Sequence, residues 1–597
     1  MTGWHVRNLG DAVLAHDVPV DVQRRFHNCS LALIGSGGAG VMTAGQILLD
    51  AATDAGYFGL MTRSTGPQIR GGEAAALVRL GVAPVACQDD RIDLLIALDW
   101  GKAERFADEI VLDADSLVIA DPDEGEPPEW IIASDAKRFA VSLADLAREH
   151  RAARVNTIAV GLAAGLLGLD PESMSTTLRK LFESKGSRLV DGALAGLNAG
   201  MAAAAALPAP CRLAPAAPQP RWLLTGNEAV GMGALRGGVR FCAAYPITPS
   251  TEIQEWLAAR LPQVGGCLVQ AEDELASVNM CIGASFGGVP AMTATSGPGF
   301  SLMVEAIGLA VATEIPLLVV DVMRGGPSTG IPTKSEQADL GIAVYGTHGD
   351  APHLVLAPNS IGDCLVTTQW AVFLAEALQC PAVVLSDQLM GQARAAITPP
   401  PDREWRAERR KAPAGRGNYQ RFAETPDGVS PMAIPGTRGG EYTATGLTHM
   451  PSARPSAMVA DHHRQLDKRR RKLFRFDFGA HWADIEGEGE TGLLTWGSTT
   501  LAAREAVERV REEGLAVRLV SLRLLSPLDP VKISQALAGI NRLLVVEQSH
   551  GAQFLRHLRA HCDLPARTQS LAEPGPLALK PGRIAAALRI LSLEQAK

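Results

Sequence analysis

Short apolar runs recur along the chain, each followed by a turn and then a longer segment of helical character. They read LALIG, YFGLM and DLLIALD near the start, AMTAT, PLLVVDVM and AVVLSD in the middle, and GLLTWG, AVRLVSL and RLLVVEQ near the end. Strands that alternate with helices imply mainly parallel sheets with helices packed on their faces, an α/β fold. At 597 residues the chain is too long for one core, and changes of composition divide it. Residues 1–206 form a first α/β unit, 207–220 a Pro-rich linker (LPAPCRLAPAAPQP), and 221–398 a second α/β unit. Residues 399–488 lose periodicity and gain Pro, Gly and charge, including REWRAERRKAP and DKRRRKL, and are expected to be an extended basic connector with a solvated face. Residues 489–597 return to a compact α/β pattern.

Composition excludes several classes. Hydrophobic residues make up 47% and charged residues 20%, the balance of a soluble α/β protein. A net charge of -8 exerts no global pull on nucleic acid or anionic membrane. Of the two most apolar stretches, IGLAVATEIPLLVVDVM is interrupted by Glu314 and Pro316, and GALAGLNAGMAAAAAL carries side chains too small to partition strongly, so no membrane span is expected. The first residues lack a basic start before an apolar core, which points to a cytoplasmic protein. No two of the nine cysteines form a C-x-x-C pair, so no zinc or iron-sulfur site arises locally; they read as small core residues in a reducing compartment.

GSGGAG fits G-x-G-x-x-G at Gly35, Gly37 and Gly40, between a strand and a helix, where backbone amides (Gly38 included) can face a phosphate. A NAD site needs an acid at the end of the second strand, and Met61, Thr62 and Arg63 stand there. Arg63 suits NADP, Arg63 with Arg70 suits the phosphates of coenzyme A, and the loop can also be a tight turn that binds nothing.

In the second unit, CAAYPITPST holds Thr248, Ser250 and Thr251 around two prolines, a stiff elbow suited to a small anion or simply to capping a helix. Glu272, Asp273 and Glu274 open an apolar, small-residue helix, a place where acids often serve the helix dipole. Arg324 leaves the strand PLLVVDVM at the carboxyl end of the sheet, where open α/β sheets bind ligands and where its fork suits a carboxylate.

YPITPST, EDELASVNMCIGAS, TATSGPGFSLM, RGGPSTGIPTKSEQADL and DKRRRKL together resemble the α subunit of 2-oxoacid:ferredoxin oxidoreductases, above all the 2-oxoglutarate type. GSGGAG, RSTGPQIRGGEAAALVRLG and DLLIALD are similar to that family's γ domain, here fused ahead of the α part. The resemblance implies three α/β domains: a γ-type domain contacting coenzyme A, a pyrimidine-binding domain for thiamine diphosphate, and a transketolase-C-like domain. It implies that Glu274 hydrogen-bonds the aminopyrimidine, that Tyr245, Pro246 and Ile247 flank the cofactor, and that Thr248, Arg324 and Thr333 receive the 2-oxoacid. Gly35, Gly37, Gly38, Gly40, Arg63 and Arg70 are then the coenzyme A contacts.

The reaction so implied is the coenzyme A-dependent oxidative decarboxylation of a 2-oxoacid to acyl-CoA and carbon dioxide, with reduction of ferredoxin. No G-D-G run for the diphosphate metal is present, since HGDAPH lacks the second glycine. No metal ligand is therefore assigned to this chain, and Mg2+ and the iron-sulfur cluster are expected in a β subunit, within a dimer of αβ units. Pyruvate, branched-chain or aromatic 2-oxoacids stand as alternative substrates. A NADP-dependent oxidoreductase and a non-catalytic acyl-CoA-binding subunit stand as alternative functions.

Overall fold

The computed structural model describes residues 27–66, 72–150, 153–217, 219–415 and 417–593. Its strands form three sheets, each at the heart of one α/β unit. In spatial order the first contains Lys137–Ala140, Leu117–Ala120, Leu94–Ala97, Asn28–Ser36, Glu73–Gly81, Phe58–Thr65, Arg394–Ile397 and Trp222–Thr225. The second contains Leu524–Ser526, Leu354–Leu356, Pro381–Asp387, Leu317–Met323, Ala291–Thr295, Phe241–Ala244 and Cys267–Gln270. The third contains Ala483–Glu486, Val517–Leu522, Thr491–Trp496, Arg542–Glu547 and Arg567–Ala572.

The second and third sheets are parallel except for one antiparallel edge strand each, Leu524–Ser526 and Ala483–Glu486. The first departs from the parallel pattern expected of it: Glu73–Gly81 lies antiparallel between Asn28–Ser36 and Phe58–Thr65. The link from Thr65 to Glu73 is too short for the crossover that parallel neighbours require, so the chain turns back as a hairpin. The margins of the second unit, Trp222–Thr225 and Arg394–Ile397, also pair into this first sheet rather than into their own.

Every residue of Leu317–Met323 is buried, as befits the centre of a sheet covered on both faces. The helix Ile361–Leu378 covers one face and packs closely on the glycine-rich helix Gly226–Gly237, where a side chain at Gly233 would strike the Leu365 carbonyl. By length and composition Ile361–Leu378 is the one described helix that could cross a membrane, and most of it is buried inside the fold as a core helix. The apolar stretch around Glu314 is instead split between the helix Gly297–Thr313 and the strand Leu317–Met323.

One expectation fails. Residues 399–488 are not a solvated basic connector: the helix Val459–Phe474 buries Lys468 and Lys472, whose ammonium groups meet the two carboxylate oxygens of Glu314 at 2.7 and 3.2 Å. Arg421, also buried, donates to the Glu314 carbonyl at 2.7 Å, and Arg409 forks onto Glu376. A buried acid at a helix end demands cations, and this segment supplies them. Most of the cysteines are buried core residues, as expected. Cys29 is joined to Cys211 in a disulfide, because the Pro-rich linker lies back on the first unit with Leu213 bonded to the Leu167 carbonyl.

The first and third units interlock through Arg79, which donates to Glu505 at 2.6 Å, and through Arg509, which pairs with Asp89, Asp90 and Glu505. Lys334 of the second unit reaches Ser64 and Glu109 of the first.

Candidate active site

The carboxyl ends of the second sheet carry the crevice. After the strand Phe241–Ala244 the elbow is fixed through its own carbonyls: Gln254 donates to Tyr245, Ser250 to Ile247, Asn227 to Pro249, and Arg324 Nη1 to Thr248 at 2.6 Å. Ser250 stands at the N-cap of the helix Thr251–Arg260 but caps no amide, its hydroxyl being turned to the Ile247 carbonyl. The hydroxyl of Thr248 makes no hydrogen bond within the described chain, and the Tyr245 side chain is exposed.

The three acids of the next strand-to-helix turn separate cleanly. Asp273 is the N-cap, accepting from Ala276 N–H at 2.6 Å, and Glu272 is exposed. Glu274 is buried and its carboxylate has no hydrogen bond or ion pair among the described residues. Gly299, in the first turn of Gly297–Thr313, lets that turn approach: a Cβ there would collide with the Glu274 carboxylate and the Thr295 hydroxyl.

Arg324 is buried, and burial lowers its basicity, yet a guanidinium stays charged at neutral pH. Near it, buried polar atoms lack a hydrogen-bond partner among the described residues: Arg324 Nε, Ser296 Oγ, both carboxylate oxygens of Asp321 and Asp339 Oδ2. Natural interiors rarely leave such groups unpaired, which makes this carboxyl end of the second sheet the candidate ligand site. Asp321 and Asp339 were missed in the sequence, although a lone acid inside LLVVDVM was a visible signal.

Thr333 is placed elsewhere. The loop after Arg324 doubles back, with Gly325 N–H bonded to the Lys334 carbonyl, and Thr333 lines a cavity of about 120 Å³ where the three units meet, which neither Thr248 nor Arg324 lines.

The glycine loop takes the tight-turn form. Ser36 N–H and its hydroxyl donate to the Asp99 carboxylate at 2.7 to 3.0 Å, and Gly37 N–H goes to the Gly72 carbonyl. Asp99 thus occupies the place where a phosphate was expected, with Glu124 close enough for its carboxyl to be raised by burial, Asp99, Asp121 and Asp123. The turn at Gly35 and Gly37 is therefore not a phosphate cradle, while Gly38 and Gly40, both at positive φ, lead into the helix Val41–Asp54. Arg63 pairs with Glu252, and Arg70 lies outside the described residues. A wider cleft of about 660 Å³ between the first and second units is lined by Thr43 in the first turn of that helix and by Arg63, Lys185, Trp256, Arg260 and Arg394.

Comparison with known proteins agrees with this architecture. The profile of pyruvate ferredoxin/flavodoxin oxidoreductase matches residues 30–203, that of the thiamine diphosphate-binding domain of pyruvate flavodoxin/ferredoxin oxidoreductase residues 232–468, and that of the transketolase C-terminal domain residues 483–572. The chain is 40% identical over 342 residues to 2-oxoglutarate synthase subunit KorA of Methanothermobacter marburgensis, covering 56% of this chain and 89% of that one. It is 35% identical over 361 residues to 2-oxoacid:ferredoxin oxidoreductase 1 subunit alpha of Sulfurisphaera tokodaii, covering 56% of each. A solved 2-oxoglutarate:ferredoxin oxidoreductase from Magnetococcus marinus, with 2-oxoglutarate, coenzyme A and succinyl-CoA bound, superposes with a TM-score of 0.88 at 34% identity, over 94% of this chain and 99% of that one. Three profiles in this order, with KorA and the Magnetococcus chain matched over nearly their whole lengths, make the chain a member of the 2-oxoacid:ferredoxin oxidoreductase family, an oxidoreductase built around a thiamine diphosphate-binding unit.

Proposed function

We propose that the chain is the fused γ-α subunit of a 2-oxoglutarate:ferredoxin oxidoreductase, working with a β subunit that holds the diphosphate-bound Mg2+ and the iron-sulfur cluster. The observation that carries this is Glu274: a buried carboxylate at a helix start, without a partner among the described residues and closely approached by Gly299. Such a group fits the aminopyrimidine of thiamine diphosphate, whose ring nitrogen it would hydrogen-bond. Thiamine diphosphate, when bound, supplies the carbon that adds to the 2-oxo group and takes up the electrons left by decarboxylation.

The remaining roles fall to this chain's own side chains. Arg324 offers a charge-assisted fork to the substrate carboxylate, held in place by the Thr248 carbonyl, and the Thr248 hydroxyl is free to add a hydrogen bond. Tyr245, Pro246 and Ile247 form the rigid wall beside the cofactor. Coenzyme A is assigned to the cleft between the first and second units, where the start of Val41–Asp54, Lys185 and Arg394 favour phosphates and Trp256 offers a stacking face. The preference for 2-oxoglutarate rests on the similarity to the 2-oxoglutarate synthase subunit KorA and to the 2-oxoglutarate-bound Magnetococcus enzyme.

The test is to co-produce the chain with its β subunit and follow viologen reduction with 2-oxoglutarate, pyruvate, and branched-chain and aromatic 2-oxoacids in the presence of coenzyme A. The complex is expected to favour 2-oxoglutarate and the isolated chain to be inactive. Turnover by the isolated chain with added thiamine diphosphate and Mg2+ would refute the split site.

A further inference from the structure

Two aspartates stand behind Arg324 with no donor among the described residues: both carboxylate oxygens of Asp321 and Oδ2 of Asp339 are buried and receive no hydrogen bond from an N–H or O–H. Asp321, wholly buried, lies in the central strand in register with Thr295 on one neighbour and Leu385 on the other. Asp339 is the N-cap residue of the helix Leu340–Tyr345, yet its side chain caps no amide. It turns inward to the Asp321 carboxyl instead, against Gly297, where a Cβ would lie 2.7 Å from its Oδ2. Two carboxyl groups can hydrogen-bond only through a proton held between them, and like charges at that distance do not both ionise.

We infer that Asp321 and Asp339 share one proton and act as positioning residues for Arg324, keeping the crevice attractive to a 2-oxoacid carboxylate for as long as that proton is held. With one proton the pair carries a single negative charge opposite the guanidinium; with none, two negative charges outweigh it and an anion is repelled. Burial pushes both carboxyls up, Asp339 to about 6 and Asp321 well above the usual range. The charged groups facing the pair are Arg324 and, on the loop before Leu340–Tyr345, Glu336, which itself faces His550 of the third unit. The helix Gly297–Thr313 brings Gly297 to it, and the nearest acid of Pro381–Asp387, Asp387, opposes Met323 and caps Met390.

This rests on the proposed role of Arg324, and the experiment separates the two. In the assembled complex, KM for 2-oxoglutarate and kcat are measured from neutral to alkaline pH. Wild type is expected to show KM rising about tenfold per pH unit once the proton is lost, with kcat nearly constant. Asp339→Asn, whose amide donates to Asp321 in place of the proton, is expected to keep the neutral KM and to flatten the rise. An unchanged alkaline rise in Asp339→Asn, with KM raised in Arg324→Met, overturns the shared proton and leaves the Arg324 reading standing. An unaffected KM in Arg324→Met overturns both. Infrared difference spectra of the full chain give a reading independent of turnover. A protonated-carboxyl band at neutral pH that disappears in Asp321→Asn is expected, and a spectrum unaltered by that substitution overturns the inference.

Discussion

Arg324 Nη1 donates to the main-chain carbonyl of Thr248 at 2.6 Å, so the strand-end arginine and the proline elbow behave as one unit. Removing the guanidinium deletes the proposed partner of the substrate carboxylate and also strands that carbonyl. Loss of one member of a buried charged pair costs about 3 to 5 kcal/mol, which is roughly 10²- to 4 × 10³-fold. Arg324→Met is therefore expected to lower kcat/KM for the 2-oxoacid by that factor while cofactor binding is spared. Thr248→Val keeps the carbonyl and loses one neutral hydrogen bond, about 0.5 to 1.5 kcal/mol. Steady-state kinetics of the two variants check the ranking; near-normal kcat/KM in Arg324→Met makes the arginine structural.

The neighbouring acids make a controlled comparison. Glu274→Ala is expected to slow hydrogen-deuterium exchange at C2 of thiamine diphosphate by about 10²- to 10⁴-fold in the assembled complex, the usual worth of a general acid-base step. Asp273→Ala removes an N-cap and is expected to cost about 1 kcal/mol of stability with exchange unchanged. An exchange rate that follows Asp273 rather than Glu274 reverses the assignment.

Much of the architecture was legible because strand and helix periods are local properties of sequence. Partner choice is not local. Nothing in YFGLM or AALVRLG states that the second inserts between the first and LALIG, and the strands Trp222–Thr225 and Arg394–Ile397 reveal their sheet only in space. The site followed the same division. The acids at 272 to 274 were visible as a group, but only burial distinguishes the cap, Asp273, from the partnerless Glu274. The glycine loop matched a phosphate motif, and its actual occupant, Asp99, comes from a different strand end. The basic run containing Lys468 looked solvated because its acid, Glu314, lies 154 residues away.

That buried cluster yields a stability prediction. Burial opposes the charge of Glu314, but Lys472, Lys468 and Arg421 outweigh it and hold its carboxyl well below the usual range; Lys468, lowered by burial and only partly restored by Glu314, sits at about 8. Glu314→Gln leaves two buried ammonium groups without their anion and is expected to destabilise by about 3 to 5 kcal/mol. Lys468→Met leaves Glu314 with Lys472 and Arg421 and is expected to cost less. Thermal unfolding checks the order, and equal melting of Glu314→Gln and wild type rejects the cluster as a stabilising feature.

The contact between the first and third units has its own pH signature. Burial raises the Glu505 carboxyl, but the charges of Arg79 and then Arg509 outweigh that and hold it at about 2 against an ordinary 4.5. A carboxyl depressed on folding contributes stability that is complete above its unfolded value and is lost as pH falls toward its folded value. The window is therefore from about pH 5 down to about pH 2, and the contribution above it is roughly 3 kcal/mol at 1.36 kcal/mol per unit. Glu505→Gln is expected to lower the melting temperature at neutral pH and to weaken further loss across the acid window, because the titrating group is gone. The first unit should become more accessible to limited proteolysis in the variant, since Asp89, at 3.4 Å, is then the one carboxylate paired with Arg79 among the described residues. An acid profile identical to wild type would show that this carboxylate does not hold the units together.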